Sequence, residues 1–385
     1  MKILVCTWNY PPTVGGIEQV AHHTTLELHR LGHEMSVLAA ALPEGGAEPA
    51  DEGFPVRRAA KKGIPQFLLH AVREGARQIR MERPDWILCT SLTAAPAALV
   101  LSKRFHVPYA VLIYGSDLVL QSRLYQVAIR PLLKSARLLF PISRKTTELL
   151  LGKGVRQERV RLVCPGVIPP SASGDKPSET MRALAAEAIG KPVLLSVGRL
   201  VKRKGVLEFI RDVMPKVRKE LPEARYWVVG GEPKASLIHQ ERIWDQLEAA
   251  IRNSGQEDSV KLLGRLPDAD LDLAYRVSKL FVFPCLDIPH DIEGFGIVVL
   301  EAALKRVPAV ATRSGGIPDA VEENVTGVLV PPGDADAMAK AIVGLLRQPE
   351  RLARMGEAGE KRAREEFNWA AVAKRYATAL EEGLK

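Results

Sequence analysis

Short unbroken apolar runs alternate with longer amphipathic stretches along the whole chain. Residues 2–7 are one such run, of the kind that forms a parallel strand buried on both faces. A Pro-Pro-Thr-Val-Gly-Gly loop follows at 11–16, and residues 17–31 carry helical periodicity with Gly32 as its stop. Further runs at 35–39, 86–89, 109–113, 138–140 and 160–163 predict more strands. Between 168 and 192 the composition shifts to turn formers with few large apolar side chains, which predicts a linker. The strand, loop, helix sequence restarts at 192–198 and continues with strands expected at 226–230, 260–264, 280–283, 309–311 and 328–330. The pattern predicts an α/β chain of two Rossmann-like halves, with a ligand cleft expected between them at the carboxyl ends of the strands. A helix is expected at 369–384, and the pattern does not say which half it packs on.

The 385-residue length agrees with two domains rather than one core. A hydrophobic content of 46% and a charged content of 26% are ordinary for a globular chain. The net charge of +9 is compatible with an anionic substrate or an anionic membrane face. Nucleic acid is the weaker reading, because the cations interleave with acids and form no long basic tail. Cys6, Cys89, Cys164 and Cys285 are far apart and form no CxxC pair, so they read as buried thiols in a reducing compartment. The chain begins directly with a strand-like run, which predicts no leader. Its longest apolar run, near 93–101, is too short to span a bilayer. A cytoplasmic protein, soluble or peripheral on the membrane face, is expected.

The candidate chemistry centres on residues 291–303. An acidic loop broken by Gly294 and Gly296 leads into an apolar helix that carries Glu301. The start of such a helix favours an anion, and the carboxylates of Glu293 and Glu301 are acceptors for hydroxyl groups. Together they suit a nucleotide-sugar, although the same stretch also reads as an ordinary β-loop-α junction with solvated glutamates. The loop at 198–205 carries Arg199, Lys202, Arg203 and Lys204 just past a strand, the chemistry of a diphosphate clamp or else of a solvated basic turn. Gly15-Gly16 fits either close approach to a phosphate or a tight turn. Asp117, in the Tyr-Gly-Ser-Asp that follows the strand at 109–113, fits a sugar hydroxyl or a helix N-cap. The histidines at 22, 23, 33, 70, 106, 239 and 290 show no metal-ligand spacing, and no metal site is expected. The loop at 314–318 reads as flexible. Residues 57–73 mix cations with an apolar stripe that suits anionic lipid or a core helix with a basic flank.

Taken in order, these residues resemble glycosyltransferase family 4, the retaining group with the GT-B fold. The resemblance rests on Glu293 and Glu301 eight positions apart around Gly-Phe-Gly, on the Gly198-Arg199 to Lys204-Gly205 loop, and on the Pro-Pro-x-x-Gly-Gly-x-Glu opening that ends at Glu18. The Gly-Gly-Ile-Pro at 315–318 and the stretch at 324–334 also match. It implies an N-terminal acceptor-binding domain at 1–168, a linker at 169–191, a C-terminal nucleotide-sugar domain at 192–366, and a last helix at 367–385 returning to the first domain. It implies that Arg199 and Lys204 hold the donor diphosphate and stabilise it as a leaving group. Phe295, Gly296 and Ile297, with Gly16, would complete a phosphate cradle; Glu301 would bind the ribose, Glu293 the donor sugar, and Arg265 would border the base. No cofactor or metal is implied, only the nucleotide-diphosphate-sugar as co-substrate.

Three departures stand out. The family's usual Pro-Asn-Gly-Val linker signature appears as Cys164-Pro165-Gly166-Val167, without the Asn. Tyr114 occupies a position where many relatives have His beside the donor sugar. A short insert at 286–291 precedes Glu293. Tyr114 and Asp117 are the candidates on the sugar or acceptor side. The competing readings on the same fold are a sugar-nucleotide epimerase, a phosphorylase and a non-catalytic nucleotide-binding module. The acceptor class suggested by the segment 57–73 is a lipid-linked or cell-envelope glycan.

Overall fold

In a computed structural model, which describes all residues except 14, 44–45, 47–51, 169–174 and 233–242, most of the apolar runs are parallel strands buried along nearly their whole length. β1 (Lys2–Thr7), β2 (Glu34–Ala39), β3 (Val56–Arg58), β4 (Trp86–Cys89), β5 (Tyr109–Ile113) and β6 (Leu138–Pro141) form one sheet in the order β3-β2-β1-β4-β5-β6. β7 (Val193–Val197), β8 (Arg225–Val229), β9 (Val260–Gly264), β10 (Leu280–Phe283), β11 (Ala309–Thr312) and β12 (Gly327–Val330) form a second sheet in the order β12-β11-β10-β7-β8-β9. Both orders follow one rule. The chain starts mid-sheet, winds to one edge in three strands, returns to the middle and winds to the other edge. The direction reverses between β1 and β4 and between β7 and β10, where open α/β sheets bind ligands beyond the strand ends.

The chain divides into two compact units, Met1–Gly166 with Phe367–Lys385, and Val167–Glu366. In the first unit the terminal helix Trp369–Leu384 is an integral part of the core. Trp86 Nε1 donates to the Leu380 carbonyl at 3.2 Å, and Tyr376 packs edge-on against Phe140 with centroids 4.9 Å apart. Asn368 caps this helix by accepting from the Ala371 amide at 2.8 Å. In the second unit a buried hydroxyl chain ties three central strands together. Tyr226 donates to Ser196 Oγ at 2.8 Å, and Ser196 donates to the Val282 carbonyl at 2.6 Å.

Three local expectations differ from the structure. No strand forms at 160–163: the chain runs beside β6, with Arg161 and Val163 amides donating to Leu139 and Pro141, but a single bridge at Val160 is all the ladder that forms. β3 lies where the sequence suggested only a basic flank. It is three residues long and half-buried, too short for a periodic signal. The segment expected to be linker holds the helix Glu179–Glu187, capped by Ser178, whose hydroxyl donates to Asp270 at 2.8 Å, with Met181 buried. Residues 169–174 of that segment lie outside the described residues.

Candidate functional site

The site grows from the loops that leave β7 and β10, at the reversal point of the second sheet. The loop after β7 carries Arg199 to Lys204 and closes on Gly205, which has φ +66. A Cβ at Gly205 would lie 1.9 Å from the Pro284 carbonyl oxygen, so only glycine lets this loop press against the end of β10. That approach sets Lys204 Nζ 4.3 Å over the Phe283 ring and within 2.7 Å of Glu293 Oε2. Arg203, at 5% exposure, donates from Nε to Asp291 Oδ1 at 2.9 Å and from Nη1 to Glu293 Oε2.

Burial alone would raise the Glu293 carboxyl. The charges of Lys204 and Arg203 and their hydrogen bonds outweigh it and hold the group down at about 2. Glu293 is therefore an ionised, largely enclosed carboxylate across the neutral range. Its backbone is fixed from the other side, because the Gly316 amide donates to the Glu293 carbonyl at 2.8 Å. Ser314, at 2% exposure, donates to Asp287 at 2.5 Å. The loop at 314–316 is thus a brace for the Glu293 loop, not the flexible segment its glycines suggested.

Gly296, at φ +91, turns the chain into the helix Ile297–Ala303. Phe295 before it is 2% exposed, so its side chain anchors the turn while the first-turn N–H groups of Ile297 and Val298 lack intrahelical acceptors. Glu301 lies in the second turn and accepts from the Tyr275 hydroxyl at 3.0 Å. Burial raises the Glu301 carboxyl, the Tyr275 bond opposes this, and Asp268 adds to it. Arg199 is exposed and, among the described residues, makes no hydrogen bond or ion pair; it shares a small concavity with Lys204, Gly198, Phe283 and Pro284. Arg265 is exposed just past β9, beside Gly231.

Gly16, Tyr114 and Asp117 belong to the first unit. Gly16 opens the helix Gly16–Arg30, and Glu18 in its first turn accepts from Asn9 Nδ2 at 2.8 Å. The Tyr114 hydroxyl is buried without a hydrogen-bond partner among the described residues, and burial pushes the phenol well up. Asp117 is a first-turn acid that reaches back, accepting from the Gly115 amide at 2.8 Å; the N-cap position itself is Gly115. Burial lifts the Asp117 carboxyl to about 6 against four backbone amide bonds. His22 pairs with Glu52, while His23 stacks on Trp369 at 5.3 Å and is held down at about 4 by burial and then by His22. His239 lies outside the described residues.

The structure brings Lys204 and Glu293 together and adds residues that pattern alone did not single out, namely Arg203, Asp291, Phe283 and Tyr275. Arg203 was visible only as one of several clustered cations. Its burial, set by an insert almost ninety positions away, is a tertiary fact.

Comparison with known proteins covers nearly the whole chain. The profile described as "Glycosyl transferases group 1" matches residues 178–362, and the one described as "Glycosyl transferase 4-like domain" matches residues 15–166. A GDP-mannose-dependent alpha-(1-6)-phosphatidylinositol monomannoside mannosyltransferase of Mycolicibacterium smegmatis is 30% identical, the alignment covering 98% of this chain and 98% of that protein. Among solved structures, a sucrose-phosphate synthase from Thermosynechococcus elongatus superposes with a TM-score of 0.80 at 20% identity over 99% of this chain and 98% of that one. Anabaena HepE in complex with UDP superposes with a TM-score of 0.77 at 19% identity, covering 99% of this chain and 100% of its own. These neighbours share the fold of two parallel α/β sheets found here. Sequence profiles over both units and a full-length relative agree, and the chain belongs to glycosyltransferase family 4.

Proposed function

We propose that this glycosyltransferase moves a hexosyl group from a nucleoside-diphosphate sugar to a hydroxyl acceptor, with retention at the anomeric carbon and without a metal. The observation that supports it most is the cation pair on Glu293 beside the exposed Arg199, at the reversal point of the second sheet. Arg199 offers a bidentate fork and Lys204 a point charge on a flexible stem, which together match a diphosphate. Charge that develops on the departing diphosphate is met by these two groups. Glu293 stands beside the donor sugar. Glu301 accepts from ribose hydroxyls, Arg265 borders the base, and the amides at Phe295, Gly296 and Ile297 receive phosphate oxygens. Tyr114 and Asp117 serve the sugar or acceptor side.

GDP-mannose is the first donor to try, because the full-length relative uses it; UDP sugars follow, because HepE is solved with UDP. Thermal-shift titration with GDP-mannose, UDP-glucose and ADP-glucose is expected to raise the melting temperature with one nucleotide class, since a ligand that binds only the native state stabilises it. With that donor, Arg199→Ala and Lys204→Ala are each expected to lower kcat/KM by about 10²–10³, and EDTA to leave turnover unchanged. Near-wild-type turnover in either variant overturns the clamp.

The acceptor is proposed to be lipid-linked, with the enzyme peripheral on an anionic, cytoplasmic membrane face. No described helix is long and apolar enough to cross a membrane. In the segment 57–73 Arg57 pairs with Glu74, Arg58 donates to the Pro11 carbonyl and Phe67 is buried, while Lys61, Arg73, Ile64 and Leu69 are exposed. The helix Arg123–Ser135 fits better. Leu124 is 84% and Val127 64% exposed, and Arg123, Arg130 and Lys134 are exposed on the same helix. No acid occurs between Asp117 and Glu148. Apolar side chains among unopposed cations suit anionic headgroups over acyl chains. Wild-type protein is expected to co-sediment with phosphatidylglycerol vesicles and not with phosphatidylcholine vesicles. The pair Leu124→Asp and Val127→Asp should abolish this without lowering the melting temperature; undiminished sedimentation removes the helix from the contact.

A further inference from the structure

Lys204 Nζ and Arg203 Nη1 converge on a single carboxylate oxygen, Glu293 Oε2. The two cations are held very differently. Arg203 is 5% exposed, its Nε donates to Asp291 at 2.9 Å, and its backbone carbonyl accepts from the Leu286 amide at 2.8 Å. It therefore clips the loop 286–293 at three points, Leu286, Asp291 and Glu293. Lys204 has only the Phe283 ring besides Glu293 among its described contacts, and it lines the concavity that Arg199 shares. One cation is held by three partners away from the concavity, and the other borders the concavity with one ionic partner.

We propose that Arg203 is a positioning residue for the donor reaction: it keeps Glu293 paired and in place when Lys204 leaves that carboxylate for the donor diphosphate. This rests on the reading of Lys204 as a diphosphate ligand. A buried carboxylate stripped of its last cation takes up a proton or moves towards water. With Arg203 present, neither happens when Lys204 departs, so Glu293 stays ionised and aimed throughout the binding step. The 286–291 insert acquires a purpose in the same stroke, since Asp291 occupies the Nε edge of the guanidinium and turns its Nη1 towards Glu293. A lysine in place of Arg203 keeps a positive charge beside Glu293 but offers no fork to hold Asp291 as well.

Among the described residues, these groups are placed around Glu293. Lys204 and Arg203 come from the loop after β7, Asp291 and Cys285 from its own loop, and the loop at 314–316 contributes a backbone amide. The Cys285 thiol is pushed up to about 12 by burial and is neutral. His290 lies on the same loop and is present in wild type and every variant, so a proton linkage that differs between them is assigned to Glu293.

Lys204→Met imitates the departure of Lys204 in the full-length protein. Its melting temperature, followed from pH 8 to pH 5, is expected to run parallel to that of the wild type, because Arg203 alone keeps Glu293 ionised. A melting temperature that rises relative to wild type as the pH falls means that Glu293 has taken up a proton, and it overturns the proposal. Binding of GDP and UDP gives the complementary measurement, with wild type as reference for titration of the nucleotide itself. Arg203→Gln is expected to bind them with uptake of one proton, an affinity that weakens by up to about tenfold per pH unit relative to wild type as the pH rises. Arg203→Lys and the double variant Arg203→Gln with Glu293→Gln should lose that extra slope. Parallel pH dependence in Arg203→Gln and wild type overturns the role of Arg203, whereas failure of the wild type to bind either nucleotide overturns the diphosphate reading beneath it.

Discussion

At the scale of single residues, the site is a set of forced approaches around Glu293. Gly315 has φ +53, and a Cβ there would lie 2.2 Å from the Glu293 carbonyl oxygen. Gly315→Ala is expected to cost about 1–3 kcal/mol and to weaken donor binding by displacing Glu293. Gly333→Ala, with φ +77 but open space around it, supplies the strain-only control. A thermal melt and a donor titration on both variants separate the two effects. Glu293→Gln leaves Arg203 and Lys204 close together without the negative charge they share, and breaking such a buried pair costs about 3–5 kcal/mol. The sign with pH is fixed by the depressed carboxyl. Its contribution is complete above the unfolded value near 4.5 and is lost as the pH falls towards about 2. The stability gap between wild type and Glu293→Gln should hold from pH 8 to pH 5 and close only in acid; urea melts at several pH values measure it. Glu293, Lys204 and the glycines were legible in the sequence because their spacing along the chain is local. Arg203 and the brace at 314–316 were not, because their partners are set by the fold and no periodicity records them.

At the scale of elements, legibility followed length and burial. β4, β5 and β10 agree with the apolar runs to the residue, since strands covered on both faces are continuous in hydrophobicity; β9 agrees as well, although it is a partly buried edge strand. β3 escaped notice because it is an edge strand of three half-buried residues, Val56, Arg57 and Arg58. The helix Trp369–Leu384 was delimited correctly, yet its packing partner was invisible: amphipathic period shows that a face is buried, not what covers it. The structure supplies Trp86, Phe140 and His23 as that cover. Tyr376→Ala is therefore expected to cost about 3–5 kcal/mol, most of it from lost packing, because the Tyr376 hydroxyl has no hydrogen-bond partner among the described residues. Tyr376→Phe should be neutral or slightly stabilising, and a loss comparable to that of the alanine variant would contradict this account.

At the scale of the molecule, one winding rule is used twice, and this was the most legible feature of all. Alternating strand and helix patterns, repeated on either side of a proline-rich break, leave few topologies open. Periodicity alone did not say where the last helix belongs; the resemblance implied its return to the first domain, and Met1–Gly166 and Phe367–Lys385 do share a unit while Val167–Glu366 is one uninterrupted run. An excised 167–366 is expected to fold cooperatively and to show a thermal shift with GDP or UDP. An excised 1–166 should aggregate or melt without cooperativity, and fusing 367–385 to it through a flexible linker should restore a sharp transition. Cooperative folding of 1–166 by itself would show the terminal helix to be dispensable.

Gly166 lies under the Trp369 ring, where a Cβ would come within 2.6 Å of it, so the last residue of the first segment is closed over by the first turn of the last helix. On a ribosome those two partners are born far apart in time. The opening segment emerges with Trp86 and Phe140 uncovered and waits tens of seconds for its lid to be translated. A nascent chain of this protein is, for that interval, a client for whatever holds sticky polypeptides apart, and a message truncated near its end yields a product that never leaves that condition.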